Sequence, residues 1–316
     1  MQFTKSANIV LTQCMGLKAS ESILIVTDSR LYSLANLFYK KALGITRHSK
    51  IITTIIPEFS GVEPPEKIAK EMLDYDIILL ITAKSLSHTN ARKNASLKGA
   101  RIASMPGLTK EMARALNVDY DKIKENNQRL FSFLKNKKTI KIKTTKGTDI
   151  EFNFEGRKWL MDNGIYAKKG DFGNLPAGEV FAAPLEGKTN GIFVVDASIA
   201  GLGIVDRDVK VYVKDGFATK VEGGKIAKKL EEQFKEKSYR NIAELGIGTN
   251  PGARISGNVL EDEKVLGTCH IAFGNNKHFY GKVDVPFHVD CVIKNPFIYA
   301  DKKIYILDYL DKVDEH

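Results

Sequence analysis

His288 and Asp290 form an H-x-D pair in the segment PFHVDCVI. In a β-strand, side chains two residues apart point to the same face about 6 to 7 Å from each other, so this pair can share one cation. An isolated H-x-D pair is more often an aspartate that orients a structural histidine. Upstream, His270 lies between Cys269 and the run Ile-Ala-Phe, so a strand there would aim the imidazole at one face of a mostly buried sheet.

Two glutamates have neighbours that suggest exposed turns beside strands. Glu179 lies in GNLPAGEVFAAP, where a proline and a glycine predict a turn that presents the carboxylate at the start of a strand. Glu244 precedes GIGTNP, a glycine-rich turn after a short apolar element. Either glutamate alone is typical of a surface or capping residue. Gly246 and Gly248 lack the third glycine and the following helix of a dinucleotide-binding fingerprint.

The elements that position these residues follow two different patterns along the chain. Residues 1–137 alternate between strand-like and helix-like periodicity, which predicts an α/β domain with a parallel sheet covered by helices. Strands are predicted at 23–27, 51–56, 77–83 and 101–105, and helices at 31–43, 64–73, 91–97, 110–116 and 121–134.

Residues 138–316 have the pattern of a β-rich α+β domain, and they contain every candidate site residue. The strands predicted at 139–144 and 148–154 flank KGTD, and those at 209–213 and 218–221 flank KDG. Both connections have the composition of hairpin turns. A further strand is predicted at 192–195 and a helix at 226–235.

Composition narrows the class of protein. A chain of 316 residues with 43% hydrophobic and 27% charged residues predicts two ordinary globular domains. No apolar run reaches the roughly 20 residues of a membrane span, and the first residues lack the pattern of a secretory signal, so we expect a cytoplasmic protein without membrane contact. Three cysteines predict free thiols. Abundant Lys and Glu with only four Gln would suit a thermophile.

The net charge of +10 does not predict nucleic-acid binding. Acidic and basic residues are interspersed along most of the chain. The one dense basic run, LKNKKTIKIKTT at 134–145, has the pattern of a helix end that enters an amphipathic strand. No aromatic residues are interleaved with it, which disfavours a nucleic-acid platform.

Five ordered blocks resemble the metalloaminopeptidases typified by aminopeptidase T and aminopeptidase S. The resemblance covers most of residues 147–293. The blocks are GTDIEFNFEGR, GNLPAGEVFAAP, AELGIGTNP, EDEK followed by GTCHIAFG, and HVDCVI.

The resemblance implies a centre of two divalent ions, zinc or cobalt, in a homodimer that hydrolyses N-terminal residues from short peptides. Its metal ligands would be Glu179, Glu244, His270, His288 and Asp290. Mixed nitrogen and carboxylate ligands suit such ions.

The expected mechanism is attack by a metal-activated water on the peptide carbonyl. Glu244 would bridge the ions, and Glu263 of EDEK would support a ligand or accept a proton, although a surface salt bridge fits Glu263 equally well. The family tyrosine after the CHIAFG-like block has no clear counterpart. Lys277 stands near its position, and Tyr280, three residues later, is the tyrosine that we assign to catalysis.

Two other functions use the same residues. His270, His288 and Asp290 are also the ligand set of a non-haem Fe(II) oxygenase, and ring-opening dihydroxypyridine dioxygenases resemble these peptidases. The third hypothesis is a non-catalytic metal-binding protein. Structural zinc sites usually have four Cys or His ligands, which disfavours that hypothesis here. The presence of both Glu179 and Glu244 favours hydrolysis with two metals.

Overall fold

The computed structural model describes residues 2–300 and 303–306. The chain divides into two compact units. The first comprises Met1–Asp121 and Asn163–Ala177, and the second comprises Lys122–Asp162 and Gly178–His316. This division differs from the predicted boundary near residue 137. Most of the helix Tyr120–Leu134 belongs to the second unit, and residues 163–177 return to the first, where they add a strand to its sheet.

The helices and strands lie close to their predicted positions wherever the sequence pattern was strongly periodic. The helices are α1 (Gln2–Ile9), α2 (Tyr32–Leu43), α3 (Glu66–Glu71), α4 (Asn90–Lys98), α5 (Ala113–Leu116), α6 (Tyr120–Leu134), α7 (Lys225–Gln233) and α8 (Val259–Asp262). The strands are β1 (Ile23–Thr27), β2 (Ser49–Thr53), β3 (Ile77–Ile81), β4 (Arg101–Ser104), β5 (Thr139–Lys143), β6 (Asp149–Asn153), β7 (Leu160–Asp162), β8 (Phe172–Asn174), β9 (Glu179–Ala182), β10 (Asn190–Val195), β11 (Ser198–Ile199), β12 (Gly203–Ile204), β13 (Val209–Lys214), β14 (Phe217–Glu222), β15 (Ile242–Gly248), β16 (Thr268–Gly274), β17 (His288–Lys294), β18 (Phe297–Ala300) and β19 (Lys303–Ile306).

The first unit contains one parallel sheet with the strand order β2-β1-β3-β4-β8. The strands β1 and β3 are buried throughout, as expected for continuous apolar runs in a parallel sheet. Thr89 caps the N-terminus of helix α4, where its hydroxyl accepts a hydrogen bond from the N–H of Arg92. Gly99 caps the C-terminus in the left-handed conformation. The predicted N-terminal α/β domain with a parallel sheet is confirmed.

The second unit contains two antiparallel sheets that share a hydrophobic core. The site sheet has the order β12-β11-β17-β16-β15-β9-β7, and the backing sheet has the order β14-β13-β10-β6-β5-β18-β19. Ile142 and Phe152 of the backing sheet belong to the same core cluster as Leu245, Ile271 and Cys291 of the site sheet. The helices α6 and α7 add Leu130, Leu134, Ile226 and Leu230 to it. Alternate side chains of each site-sheet strand therefore face this core, and the side chains between them point to the opposite face of the sheet, where polar groups can lie.

Within the described parts of the chain, no helix is long and apolar enough to cross a bilayer.

Candidate metal centre

Four neighbouring strands of the site sheet bring the five predicted ligands to one face. Glu179 begins β9, Glu244 lies in β15, His270 lies in β16, and His288 and Asp290 lie in β17. Their neighbours in the chain point to the opposite face and belong to the hydrophobic core: Val180, Leu245, Ile271, Val289 and Cys291. The period of two in each strand therefore separates the polar face from the core.

Strand register decides which of these residues are adjacent. Ala272 of β16 pairs with Glu244 on one side and with Asp290 on the other, so a small residue separates the two carboxylates. Gly246 pairs with His270. A Cβ added at Gly246 would lie 2.1 Å from Cε1 and Nε2 of the imidazole, so only glycine leaves room for the ring.

The Glu244 carboxylate lies between the two histidines. Its Oε1 is 3.6 Å from His270 Nε2, and its Oε2 is 3.4 Å from His288 Nε2. His288 Nε2 is also 3.3 Å from Asp290 Oδ1, and His270 Nε2 is 3.6 Å from Glu179 Oε2. The structure therefore brings together all five predicted ligands.

Two further charged residues reach the same cluster from the segment after α8. Glu263 Oε1 and Glu179 Oε1 both contact the ammonium of Lys264, at 2.7 Å and 2.6 Å. The Lys264 side chain is 2% exposed. Glu263 is thus part of the cluster and is not the exposed salt-bridged residue that the sequence also allowed.

The donor atoms form two groups of three that share one residue. Glu244, His288 and Asp290 offer ligand atoms within 4.8 Å of one another, and so do Glu263, His270 and Asp290. In the described residues, Glu179 Oε2 is a buried oxygen without a hydrogen-bond partner. Imidazole nitrogens and carboxylate oxygens at such distances fit a divalent transition-metal ion.

The acidic surroundings change the titration of the two histidines in the metal-free cluster. Burial alone would lower the pKa of His270, but the hydrogen bond to Glu244 and the charges of Glu179 and Asp290 raise it to about 9. The pKa of His288 is also raised well above its ordinary value, because Asp290 and Glu244 outweigh desolvation. A metal ion that binds here must displace these protons.

The carboxyl groups titrate differently because their partners differ. Burial, with the Glu263 charge, raises the pKa of Glu179 to about 8 despite the nearby ammonium of Lys264. Burial would also raise the pKa of Asp290, but the charge of His288 and its hydrogen bond lower it to about 2. Asp290 therefore stays ionised near neutral pH, whereas Glu179 can exchange a proton there.

Contacts outside the cluster fix the orientation of the site residues. The backbone oxygen of Asn275 lies 2.9 Å from His288 Nδ1, so a proton on Nδ1 leaves Nε2 free to bind a metal. Asn127 of α6 donates from Nδ2 to the backbone oxygens of Asp162 and Glu179. These bonds hold the ends of β7 and β9 against the helix.

Two of the residues that build this site, Lys264 and Asn127, are not among the site residues predicted from the sequence. A signal for Asn127 existed, because it occupies the apolar face of α6 between Ile123 and Leu130, and a polar residue at a buried helical position needs partners. Lys264 follows three acidic residues, and such a run usually indicates a solvated surface. Nothing local in the sequence marks it as buried.

Tyr280 does not join the cluster through its observed contacts. Its side chain is 56% exposed, and its ring lies under the ammonium of Lys158, 4.9 Å from Nζ to the centroid. Its neighbour Phe279 instead packs edge-on against His288, with 5.9 Å between ring centroids. A catalytic role for Tyr280 stays a prediction.

A family model described as NicX, 2,5-dihydroxypyridine 5,6-dioxygenase, matches residues 55–308. This match spans the whole cluster and most of the chain. The chain belongs to the NicX family. A curated relative from Pseudomonas putida, 2,5-dihydroxypyridine 5,6-dioxygenase, is 23% identical in an alignment over 247 residues, and the alignment covers 72% of this chain and 69% of the relative.

Two solved structures have the same fold. The 2,5-dihydroxypyridine dioxygenase of Pseudomonas putida KT2440 aligns with a TM-score of 0.82 at 17% identity, covering 97% of this chain and 95% of that one. AmpT from Thermus thermophilus aligns with a TM-score of 0.69 at 17% identity, covering 96% and 97%. The NicX-family chain thus has the same fold as both proteins, which accounts for the resemblance seen in the sequence blocks.

The expected metalloaminopeptidase activity, and with it the classes hydrolase and metalloprotease, is wrong. Both the family model and the curated relative name a ring-cleaving dioxygenase. The sequence blocks misled because they build strands of a fold shared with AmpT. One fold can support different chemistries at the same strands, so block order indicates the fold more strongly than the reaction.

Proposed function

We propose that this chain is a dioxygenase that opens a dihydroxylated pyridine ring with molecular oxygen. The family match over residues 55–308 supports this function most strongly, and the name of the Pseudomonas putida relative supports the substrate class. The alternative of a metal-binding protein without catalysis predicts the same ligands but no oxygen consumption.

We assign His270, His288 and Asp290 as the ligands of one Fe(II). Two histidines and one carboxylate are the ligand set of non-haem Fe(II) oxygenases, which keep other positions open. When bound, the iron supplies the redox chemistry that oxygen activation requires and that side chains lack. The donor set fits this ion, because Asp290 belongs to the donor groups of both histidines and both imidazole Nε2 atoms lie beside the one Glu244 carboxylate.

Two carboxyl groups have separate tasks in this proposal. Glu244 flanks both imidazoles, at 3.6 Å and 3.4 Å from their Nε2 atoms, and holds negative charge beside them. Glu179 binds Lys264 through Oε1 and keeps Oε2 available. Because burial raises its pKa to about 8, Oε2 can accept a proton from a ring hydroxyl near neutral pH.

Aromatic side chains beside His288 can orient a planar ring. Phe279 lies edge-on to both His288 and Phe181, with ring centroids 5.9 Å apart in each pair. Phe181 is on the same strand as Glu179 and points to the same face as that carboxylate. We therefore assign these two phenylalanines as an apolar flank that excludes water from the bound pyridine.

Oxygen uptake by Fe(II)-loaded protein tests the proposal. Apoprotein is loaded with Fe(II) in the absence of oxygen and then mixed with a solution of 2,5-dihydroxypyridine that contains dissolved oxygen. Oxygen uptake and loss of the absorbance of the ring are followed together. We expect equal consumption of oxygen and substrate and no hydrolysis of aminoacyl chromogenic substrates. A folded, iron-loaded chain that consumes no oxygen with this substrate would contradict the proposal.

Alanine variants of the ligands provide the control. His270→Ala, His288→Ala and Asp290→Ala should each lower the rate about 100-fold or more, because loss of a ligand exceeds the effect of losing a supporting contact. His48→Ala removes an exposed histidine of the first unit and should leave the rate unchanged. Ring opening that survives the loss of His270 or His288 would refute the ligand assignment. The predicted homodimer stays a proposal, which light scattering can test.

A further inference from the structure

Lys264 is a fully buried cation inside the acidic cluster. The residue is 1% exposed, and its ammonium lies 2.6 Å from Glu179 Oε1 and 2.7 Å from Glu263 Oε1. Lysine is almost never fully buried unless it is paired, since an isolated charge loses its hydration. Its two partners are carboxylates of the metal site, and they compensate for the lost hydration.

The backbone of Lys264 is held in place by the neighbouring strand. The N–H of Asn250, two residues after β15, donates to the Lys264 carbonyl at 2.8 Å, and Asn250 also forms a parallel β-bridge with Val265. A Cβ added at Gly248 would lie 2.8 Å from the Lys264 carbonyl carbon, so the segment lies directly against β15. The ammonium is therefore a fixed charge at this position.

The same carboxylates would otherwise be suited to a second metal ion. Glu263 shares a ligand group with His270 and Asp290, and Glu179 Oε2 faces His270 Nε2 at 3.6 Å. An ammonium bound to one oxygen of each glutamate occupies part of that ligand set. It also repels any divalent cation that approaches, and the repulsion is strong where water is excluded.

We propose that Lys264 acts as a built-in second cation that limits this centre to a single divalent ion. The inference rests on the proposed function, because an Fe(II) dioxygenase uses one ion with open positions, whereas a carboxylate-rich cluster without a lysine can hold two.

Counting bound Zn(II) tests this role without measuring enzyme activity. Chelator-treated wild type and Lys264→Met are dialysed against a series of Zn(II) concentrations, and zinc per chain is measured by atomic emission. We expect one tightly bound ion in the wild type and two in Lys264→Met, with the second ion bound at least tenfold more tightly than any second ion of the wild type. Lys229→Met, the same substitution at an exposed helical site, should keep one ion.

Three results would overturn the inference. The first is that the wild type binds two ions of similar affinity. The second is that a folded Lys264→Met variant binds only one ion. The third is that Lys264→Met/Glu179→Gln binds two ions, although it lacks a carboxylate needed for the second site. Even if Lys264→Met does not fold, two ions of similar affinity in the wild type would overturn the inference. If the wild type binds one Zn(II) in this experiment but consumes no oxygen when it is loaded with Fe(II) instead, the proposed function alone would be contradicted.

Discussion

Gly246→Ala should weaken metal binding through a single methyl group. Gly246 lies opposite His270 in β15 and β16, and the new Cβ would lie 2.1 Å from ring atoms Cε1 and Nε2. Ordinary carbon contacts are about 3.5 to 4.0 Å, so the ring must move by about 1.5 Å. Gly246 does not have a positive φ, so the effect is a steric one and not backbone strain.

This displacement gives two expected magnitudes. Overpacking in a closely packed site lowers the free energy of unfolding by about 1 to 3 kcal/mol. Metal–nitrogen bonds tolerate only about 0.2 Å of change, so we expect Zn(II) affinity to fall at least about tenfold. Urea denaturation of the metal-free protein measures the first quantity, and competition with a chromophoric chelator measures the second.

A double variant separates packing from ligation. His270→Ala removes the ring that the new methyl group would meet, so Gly246→Ala should destabilise the His270→Ala background much less than it destabilises the wild type. Equal destabilisation in both backgrounds would show that Gly246 does not act through His270. A Gly246→Ala protein that binds Zn(II) as tightly as the wild type would refute the steric argument altogether.

Three further predictions concern the surroundings of the site. The metal-free protein should lose stability as pH rises from about 4.5 to about 9. Folding raises the pKa of Glu179 to about 8 and that of His270 to about 9, so the folded state holds more protons than the unfolded state over this range. Urea denaturation with chelator measures this, and stability that increases over the same range would contradict it. Asn127→Ala should lower the free energy of unfolding by about 1 to 3 kcal/mol, since two buried backbone oxygens lose their donor, and an unchanged denaturation midpoint would refute it. Glu186 accepts hydrogen bonds from Asn276 Nδ2 and from the N–H of Lys282, and Asn276 follows Asn275, whose carbonyl orients His288. Glu186→Ala removes this acceptor, so Zn(II) affinity should fall about tenfold in chelator competition. Unchanged affinity would show that Glu186 does not help to position His288.

The parallel-sheet unit was predictable because its apolar runs are continuous. ILIVT and IILLI become β1 and β3, and the bounds of β1 match the prediction. The short strands β7, β8, β11 and β12 were not predicted, since two or three residues carry no measurable periodicity. The return of residues 163–177 to the first unit was equally invisible, because it depends on β8 pairing with a strand far away in the chain.

The candidate ligands were predictable as residues, but their arrangement was not. The H-x-D spacing places His288 and Asp290 on one face of β17 whatever the neighbouring strands are. That Glu244 lies between both histidines depends on the register of three strands, which no local pattern encodes. The reaction was assigned wrongly, because the predicted ligands are consistent with two chemistries and the sequence blocks follow a fold that AmpT shares.

Strand alternation has a chemical consequence for the two cysteines that adjoin candidate ligands in sequence. Cys269 and Cys291 adjoin His270 and Asp290 in sequence, yet both are fully buried in the apolar core behind the sheet. Burial raises the pKa of both thiols, so they stay protonated and weakly nucleophilic. Sulfenic acid formation requires an accessible thiolate. Under the proposed function, oxygen would react at the polar face of the sheet, and the sheet itself would shield the thiols of Cys269 and Cys291 from it.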